Sequence, residues 1–179
     1  PLIVPQKYFD MYPLEDIKLA DILKNDKDDT FLHLVDQFET RGRRVRSIEM
    51  YKNLVASYDD NKEGLKRFTQ AYLACVTAVD ENIGQVLSAV NKTKLKDNTI
   101  VIIASDHGWT MGEKEHIYKN SLWEESTRVP LIIRAPGISK PNTKVNHPVS
   151  LIDVYPTLLD LAGLDFITKR NDNGSSLNG

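Results

Sequence analysis

Asp106 and His107 stand side by side at the end of Thr99-Ile-Val-Ile-Ile-Ala-Ser-Asp-His-Gly-Trp109, and Lys119 follows thirteen residues after Asp106. A carboxylate and an imidazole in consecutive positions offer a hard oxygen and a nitrogen to a divalent ion. A fixed ammonium further along the same loop suits an anionic ester held near that metal. The plainer alternatives are a polar turn with a capping Asp at Asp106 and a surface lysine at Lys119. His116, between them, could reach a leaving-group oxygen or could bridge backbone groups. Glu113 reads either as a partner behind such a site or as a solvated loop acid. Trp109 and Trp123 fit packing of the loop more readily than stacking on a substrate. His33 has no ligand-spaced partner, so it reads as structural or exposed. Arg41, Arg43, Arg44 and Arg46 form a basic cluster, either a solvated face paired with the preceding acids or a contact for an anionic sugar.

These residues need elements to hold them. Ile100 to Ala104 is a run of apolar residues, mostly β-branched, which predicts a central strand over Thr99 to Ala104 covered on both faces. Its C-terminal tip is where open α/β sheets place ligands and metals. Before it, Leu65, Phe68, Tyr72, Cys75, Val76, Val79, Ile83, Val86, Leu87 and Val90 recur every three or four positions and predict one long helix. Asp60 and Glu63 favour its start; Lys92 and Lys94 suit the dipole at its end. Arg128 to Arg134 predicts a second strand closed by Ala135-Pro-Gly137. Val149 to Leu161 predicts a second amphipathic helix, with Ser150 or Asp153 as cap and Gly163 as stop. Helix, strand, loop, strand, helix without internal repeats is an α/β pattern. The first twelve residues read as an extended lead-in and Leu14 to Glu39 as a charged surface excursion.

At 179 residues with 41% hydrophobic side chains, the chain can build one core. A net charge of −2 argues against a generic binder of nucleic acid or anionic membranes. No apolar run approaches the roughly 20 residues a membrane span needs. The first residues carry neither the basic nor the apolar region of a signal peptide. Cys75, the single cysteine, excludes an internal disulfide and falls on the helical stripe as a small buried hydrophobe.

Ser105-Asp-His-Gly-Trp109, Met111-Gly-Glu-Lys-Glu-His116, Lys119, Leu122-Trp-Glu-Glu-Ser-Thr-Arg-Val-Pro-Leu-Ile132 and Ser150-Leu-Ile-Asp-Val-Tyr-Pro-Thr-Leu-Leu-Asp160 occur in this order. In these motifs the chain resembles the formylglycine-dependent sulfatases, above all their iduronate-2-sulfatase-like and choline-sulfatase-like members, from about Tyr8 to Leu164. The resemblance implies an enzyme with an alkaline-phosphatase-like α/β sandwich, a central mixed sheet with helices on both faces, incomplete in this chain. It implies that Asp106 and His107 are metal ligands and that the metal is calcium, with His107 alternatively bonded to the sulfate or the nucleophile. It implies that Lys119 is the catalytic, sulfate-binding lysine; His116 has a weaker claim to a catalytic, substrate-binding place at the leaving group.

The family's nucleophile is a Cys or Ser in a C/S-x-P-x-R motif, oxidised to formylglycine, and no residue here supplies it. Cys75 lacks the Pro and Arg, and Ser139-Lys-Pro-Asn-Thr143 lacks the Arg and reads as a turn. The family's N-terminal Asp pair has no match either. The expectation is therefore the second half of a sulfatase catalytic domain over residues 1–165, with a polar surface excursion at 15–64 and a truncated polar tail at 166–179. In the complete enzyme a formylglycine hydrate would attack sulfur, displace the alcohol and later expel sulfate; the fragment alone would be inactive. The expected substrate is a sulfated carbohydrate or small sulfate ester, the expected partners the missing half or a second copy. The family implies a periplasmic, extracellular or lysosome-like location. Two alternatives remain: a phosphodiesterase or phosphonate monoester hydrolase of the same superfamily, and a non-catalytic binding module.

Overall fold

The computed structural model describes residues 2–26, 28 and 46–164; His33, Arg41, Arg43, Arg44 and the 166–179 tail lie outside them. The chain divides into two units, Pro1–Lys92 with His107–Val129, and Thr93–Asp106 with Pro130–Gly179.

In the first unit the chain opens with a short helix α1, Gln6–Phe9. Helix α2, Arg46–Ala56, and the long helix α3, Asn61–Asn91, follow. The apolar periodicity of α3 is that of the expected helix, and the Asp60 side chain caps it by accepting the Lys62 N–H at 2.9 Å. α1 and α2 both pack on α3. The core here is small: Tyr8, Ala74 and Ala78 are buried, with Val4 and Phe9 against them. Alanines let α1 approach α3 closely, and Tyr8 anchors the contact by donating to Glu81 at 2.7 Å.

The buried face of α3 differs from the expected one. Leu65, Ala74 and Ala78 are buried, whereas Val76, Val79 and Val86 are exposed and Cys75 is half-buried. Periodicity marks an apolar arc; which part is covered depends on neighbours that a single helix cannot specify. α2 is a further difference, because residues 46–56 lie inside the stretch expected to be a polar excursion. Its apolar Ile48, Met50, Leu54 and Val55 are interleaved with charge.

After α3 the first unit resumes at His107 with a two-residue hairpin, β2 (Thr110–Met111) against β3 (Ile117–Tyr118), and a single helical turn α4, Glu124–Thr127. The second unit holds β1, Val101–Ala104, paired antiparallel with β4, Leu131–Arg134, with Val101 opposite Arg134 and Ala104 opposite Leu131. Both strands are shorter than expected and half-buried rather than covered on both faces, since among the described residues they pair only with each other. The final helix α5, Val154–Leu161, is preceded by a 3-10 turn capped by Ser150 and is followed by Gly163 at φ +66°. Asp153 makes no capping bond. Ser139 is a turn residue: its hydroxyl accepts from the Ala135 N–H and donates to the Ala135 carbonyl.

Candidate active site

Asp106 ends the second unit's strand segment, two residues past β1, with its side chain exposed. His107 begins the first unit's loop. Its Nδ1 lies 2.8 Å from the Gly108 carbonyl, and a carbonyl can only accept, so Nδ1 carries the hydrogen and Nε2 the lone pair of the neutral ring. The ring stacks at 6.2 Å on Trp109.

Gly108 explains the third residue of the Asp-His-Gly triplet. Its N–H donates to Ser126 O at 2.7 Å, and the Trp109 N–H donates to Glu125 O at 2.6 Å. A Cβ on Gly108 would meet Glu125 O at 2.0 Å. Only a residue without a side chain lets this loop lie so close on α4. Trp109 then enters an aromatic cluster with Tyr72, Tyr118 and Phe68, at centroid distances of 5.5, 5.0 and 6.2 Å. Trp109 thus packs the loop, and Trp123 packs edge-on against His116 at 5.2 Å.

The hairpin that leads to Lys119 is backbone-strained. Gly112, Lys114, Glu115 and Tyr118 all have left-handed φ, at 121°, 57°, 54° and 75°. For the three non-glycine residues this costs on the order of 1–2 kcal/mol each, so surrounding bonds must hold them. The Glu113 carboxylate accepts the Met111 N–H at 2.6 Å, which makes it a loop-shaping group. Gly112 N–H donates to His116 O at 3.0 Å, and His116 N–H to Glu113 O at 2.9 Å.

His116 is buried, with only 2% of its surface exposed. The Thr110 hydroxyl lies 2.6 Å from the Tyr118 carbonyl and must donate its one hydrogen there; it then accepts from His116 Nδ1 at 2.9 Å. The ring therefore ties β2 to β3, and its Nε2 makes no hydrogen bond among the described residues. Burial pushes its pKa down, opposed by the backbone of Asn120. Lys119 follows directly, exposed, and its ammonium makes no hydrogen bond or ion pair with a described residue. His107, His116 and Lys119 all belong to the His107–Val129 segment of the first unit, whereas Asp106 belongs to the second. Thr110 and Tyr118, which set the loop's shape, were not evident in the sequence because their role is a cross-strand bond. Arg46, the described member of the basic cluster, is an exposed residue at the start of α2.

The Sulfatase family model matches residues 7–164. This chain belongs to the sulfatase family. A sulfatase of Formosa agariphila is 38% identical over 92% of the chain, which covers 30% of that protein. The choline-sulfatase of Rhizobium meliloti is 35% identical over 73% of the chain, covering 24% of its length. Among solved structures, the phosphonate monoester hydrolase of Silicibacter pomeroyi superposes with a TM-score of 0.74 at 30% identity, over 99% of this chain and 34% of that one. A second, solved with its substrate D-glucosamine-2-N,6-O-disulfate, gives 0.57 at 34% identity over 72% of this chain and 26% of that one. The fold is thus the α/β, alkaline-phosphatase-like fold of sulfatases, and the chain spans about a third or less of these relatives' length.

Proposed function

We propose that this sulfatase-family chain carries the anion-binding side, and part of the metal side, of an enzyme hydrolysing sulfate esters of carbohydrates. The observation that carries the reading is Lys119: an exposed ammonium, without a partner among the described residues, at the end of a strained and tightly bonded hairpin. A cation left unneutralised and backed by a rigid loop is suited to bind a non-bridging oxygen as charge shifts in the transition state.

Calcium fits the donor chemistry in part. The Asp106 carboxylate is a hard oxygen donor, while neutral Nε2 of His107 suits calcium less well than an oxygen would. Among the described residues no cluster of three or more His, Cys, Asp or Glu is present; on this reading the further donors lie outside them. Calcium, when bound, would supply Lewis-acid charge stabilisation; formylglycine, expected outside these 179 residues, would be the nucleophile. Asp106 and His107 would hold the metal, Lys119 would bind and orient the sulfate group, and His116 would keep the hairpin in shape through Thr110. The disulfated glucosamine in one structural neighbour favours a carbohydrate substrate, and an extracytoplasmic or lysosome-like location accompanies it. No described helix is long and apolar enough to cross a membrane.

A second reading has a specific observation behind it: the phosphonate monoester hydrolase covers nearly the whole chain at a TM-score of 0.74. Purified full-length protein assayed in parallel on a sulfated glucosamine, an aryl sulfate and an aryl phosphonate monoester decides between them. Higher kcat/KM on the sulfates supports the proposal; a preference for the phosphonate replaces it with the second reading. No turnover of any of the three would favour a binding module.

A further inference from the structure

We propose that Asp26 is a positioning residue for Lys119, acting through a partly buried clamp on Lys114 at the apex of the hairpin. This rests on the reading of Lys119 as the cation that binds the anionic ester.

Asp26 lies 88 positions from Lys114 in sequence, yet it meets both ends of that residue. Its Oδ2 accepts the Lys114 N–H at 2.8 Å, its Oδ1 accepts from Nζ at 3.0 Å, and its backbone carbonyl also accepts from Nζ. The side chains of Lys114 and Asp26 are 15% and 16% exposed, a partly buried pair. Bonding to the Lys114 N–H, above all, lowers the Asp26 carboxyl pKa from its ordinary value. Just before the clamp, Ile22 Cδ1 sits 3.0 Å from where a Gly112 Cβ would be, so the Asp26 segment is seated on the turn.

The clamped residue is one that needs holding. Lys114 and Glu115 are left-handed, and relaxation toward negative φ would redirect the chain that follows. Between the clamp and Lys119 little can absorb such a shift. Glu115 N–H donates to Gly112 O at 3.1 Å, His116 is bonded to Thr110, and Tyr118 O accepts from Thr110. A displaced apex is therefore passed to Tyr118, itself at φ 75°, and on to Lys119. A charge that stabilises a transition state is sensitive to such small misplacements.

In the full-length enzyme, Asp26→Ala should lower kcat/KM for the sulfate ester on the order of tenfold and weaken inhibition by inorganic sulfate by a similar factor. Added to Lys119→Ala, the same change should cost nothing further, because a residue that acts through Lys119 has no other route. Asp26→Asn keeps an acceptor for the Lys114 N–H and should fall between wild type and Ala; it is the variant to read if Asp26→Ala does not fold. The proposal is overturned if the Asp26 variants lower turnover equally with and without Lys119, or leave sulfate inhibition unchanged. An inert Lys119→Ala would overturn the reading of the lysine itself, a result separable from either.

Discussion

On the proposed reading Lys119 binds the anion and Asp106 the metal, and substitutions separate the two roles. Lys119→Ala in the complete enzyme should reduce sulfate-ester turnover on the order of a hundredfold, as expected for loss of one preorganised charge. Its melting temperature should hardly move, because an exposed ammonium without a described partner adds little to packing. Lys119→Arg should restore activity only in part, since a planar fork is not a point charge. Wild-type turnover in Lys119→Ala would remove the assignment. Asp106→Ala should lose bound calcium, measured by metal analysis, whereas His107→Asn should retain more of it because an amide oxygen is an acceptable ligand. Equal, severe loss in both would make the imidazole as important a donor as the carboxylate. His116 predicts a pH effect. Burial holds its pKa below the ordinary 6.5, so the unfolded chain takes up the proton first. Stability should then be complete above that value and decline as pH falls below it. Melting of the complete enzyme at about pH 7.5 and about pH 5.5 should show a drop that shrinks in His116→Gln; an unchanged drop would assign it to other groups.

At the scale of elements, the loop after β1 works because its backbone lies directly on the turn at α4. Gly108→Ala places a methyl 2.0 Å from Glu125 O and 3.0 Å from Arg128 O, both backbone atoms that cannot rotate away. A loss of at least about 1–3 kcal/mol is expected, read as a lower urea midpoint in the complete enzyme. Activity should fall more than stability, since the same shift moves His107. An unaltered midpoint would mean that the α4 contact is looser than the structure shows. The hairpin β2–β3 is too short to be stable by its own pairing; it is held by the Thr110–His116–Tyr118 bonds, the Asp26 clamp and the aromatic contacts of Trp109 and Tyr118 with Phe68.

For the molecule as a whole, unburied apolar surface is the dominant feature. Val76, Val79 and Val86 on α3 are exposed, as are Ile132 on β4 and Ile152 and Tyr155 around α5, at 58%, 80% and 60% for the last three. The chain spans at most about a third of the relatives it matches, and strands that among the described residues pair only with each other, beside exposed apolar side chains, favour association. Expressed as these 179 residues alone, it should form oligomers or aggregates by light scattering and should not hydrolyse an aryl sulfate. A monodisperse monomer would show that these faces tolerate water.

The sequence alone was sufficient for the long helix, for the presence of β1, β4 and a helix ending before Gly163, and for the family, because each rests on local periodicity or on contiguous motifs. Gly108 was legible as part of Asp-His-Gly, but its reason, the backbone approach to Glu125, came only with the fold. The tertiary structure alone decided which arc of α3 is buried and that residues 46–56 form a helix packed on it. It also revealed the clamp from Asp26 to Lys114, hidden in a run of alternating Asp, Lys and Asn with no periodicity to mark one acid from the next. The physical difference is range. Propensity, capping and alternation act over a few residues, while burial and ion pairing depend on which distant segment the folded chain brings alongside.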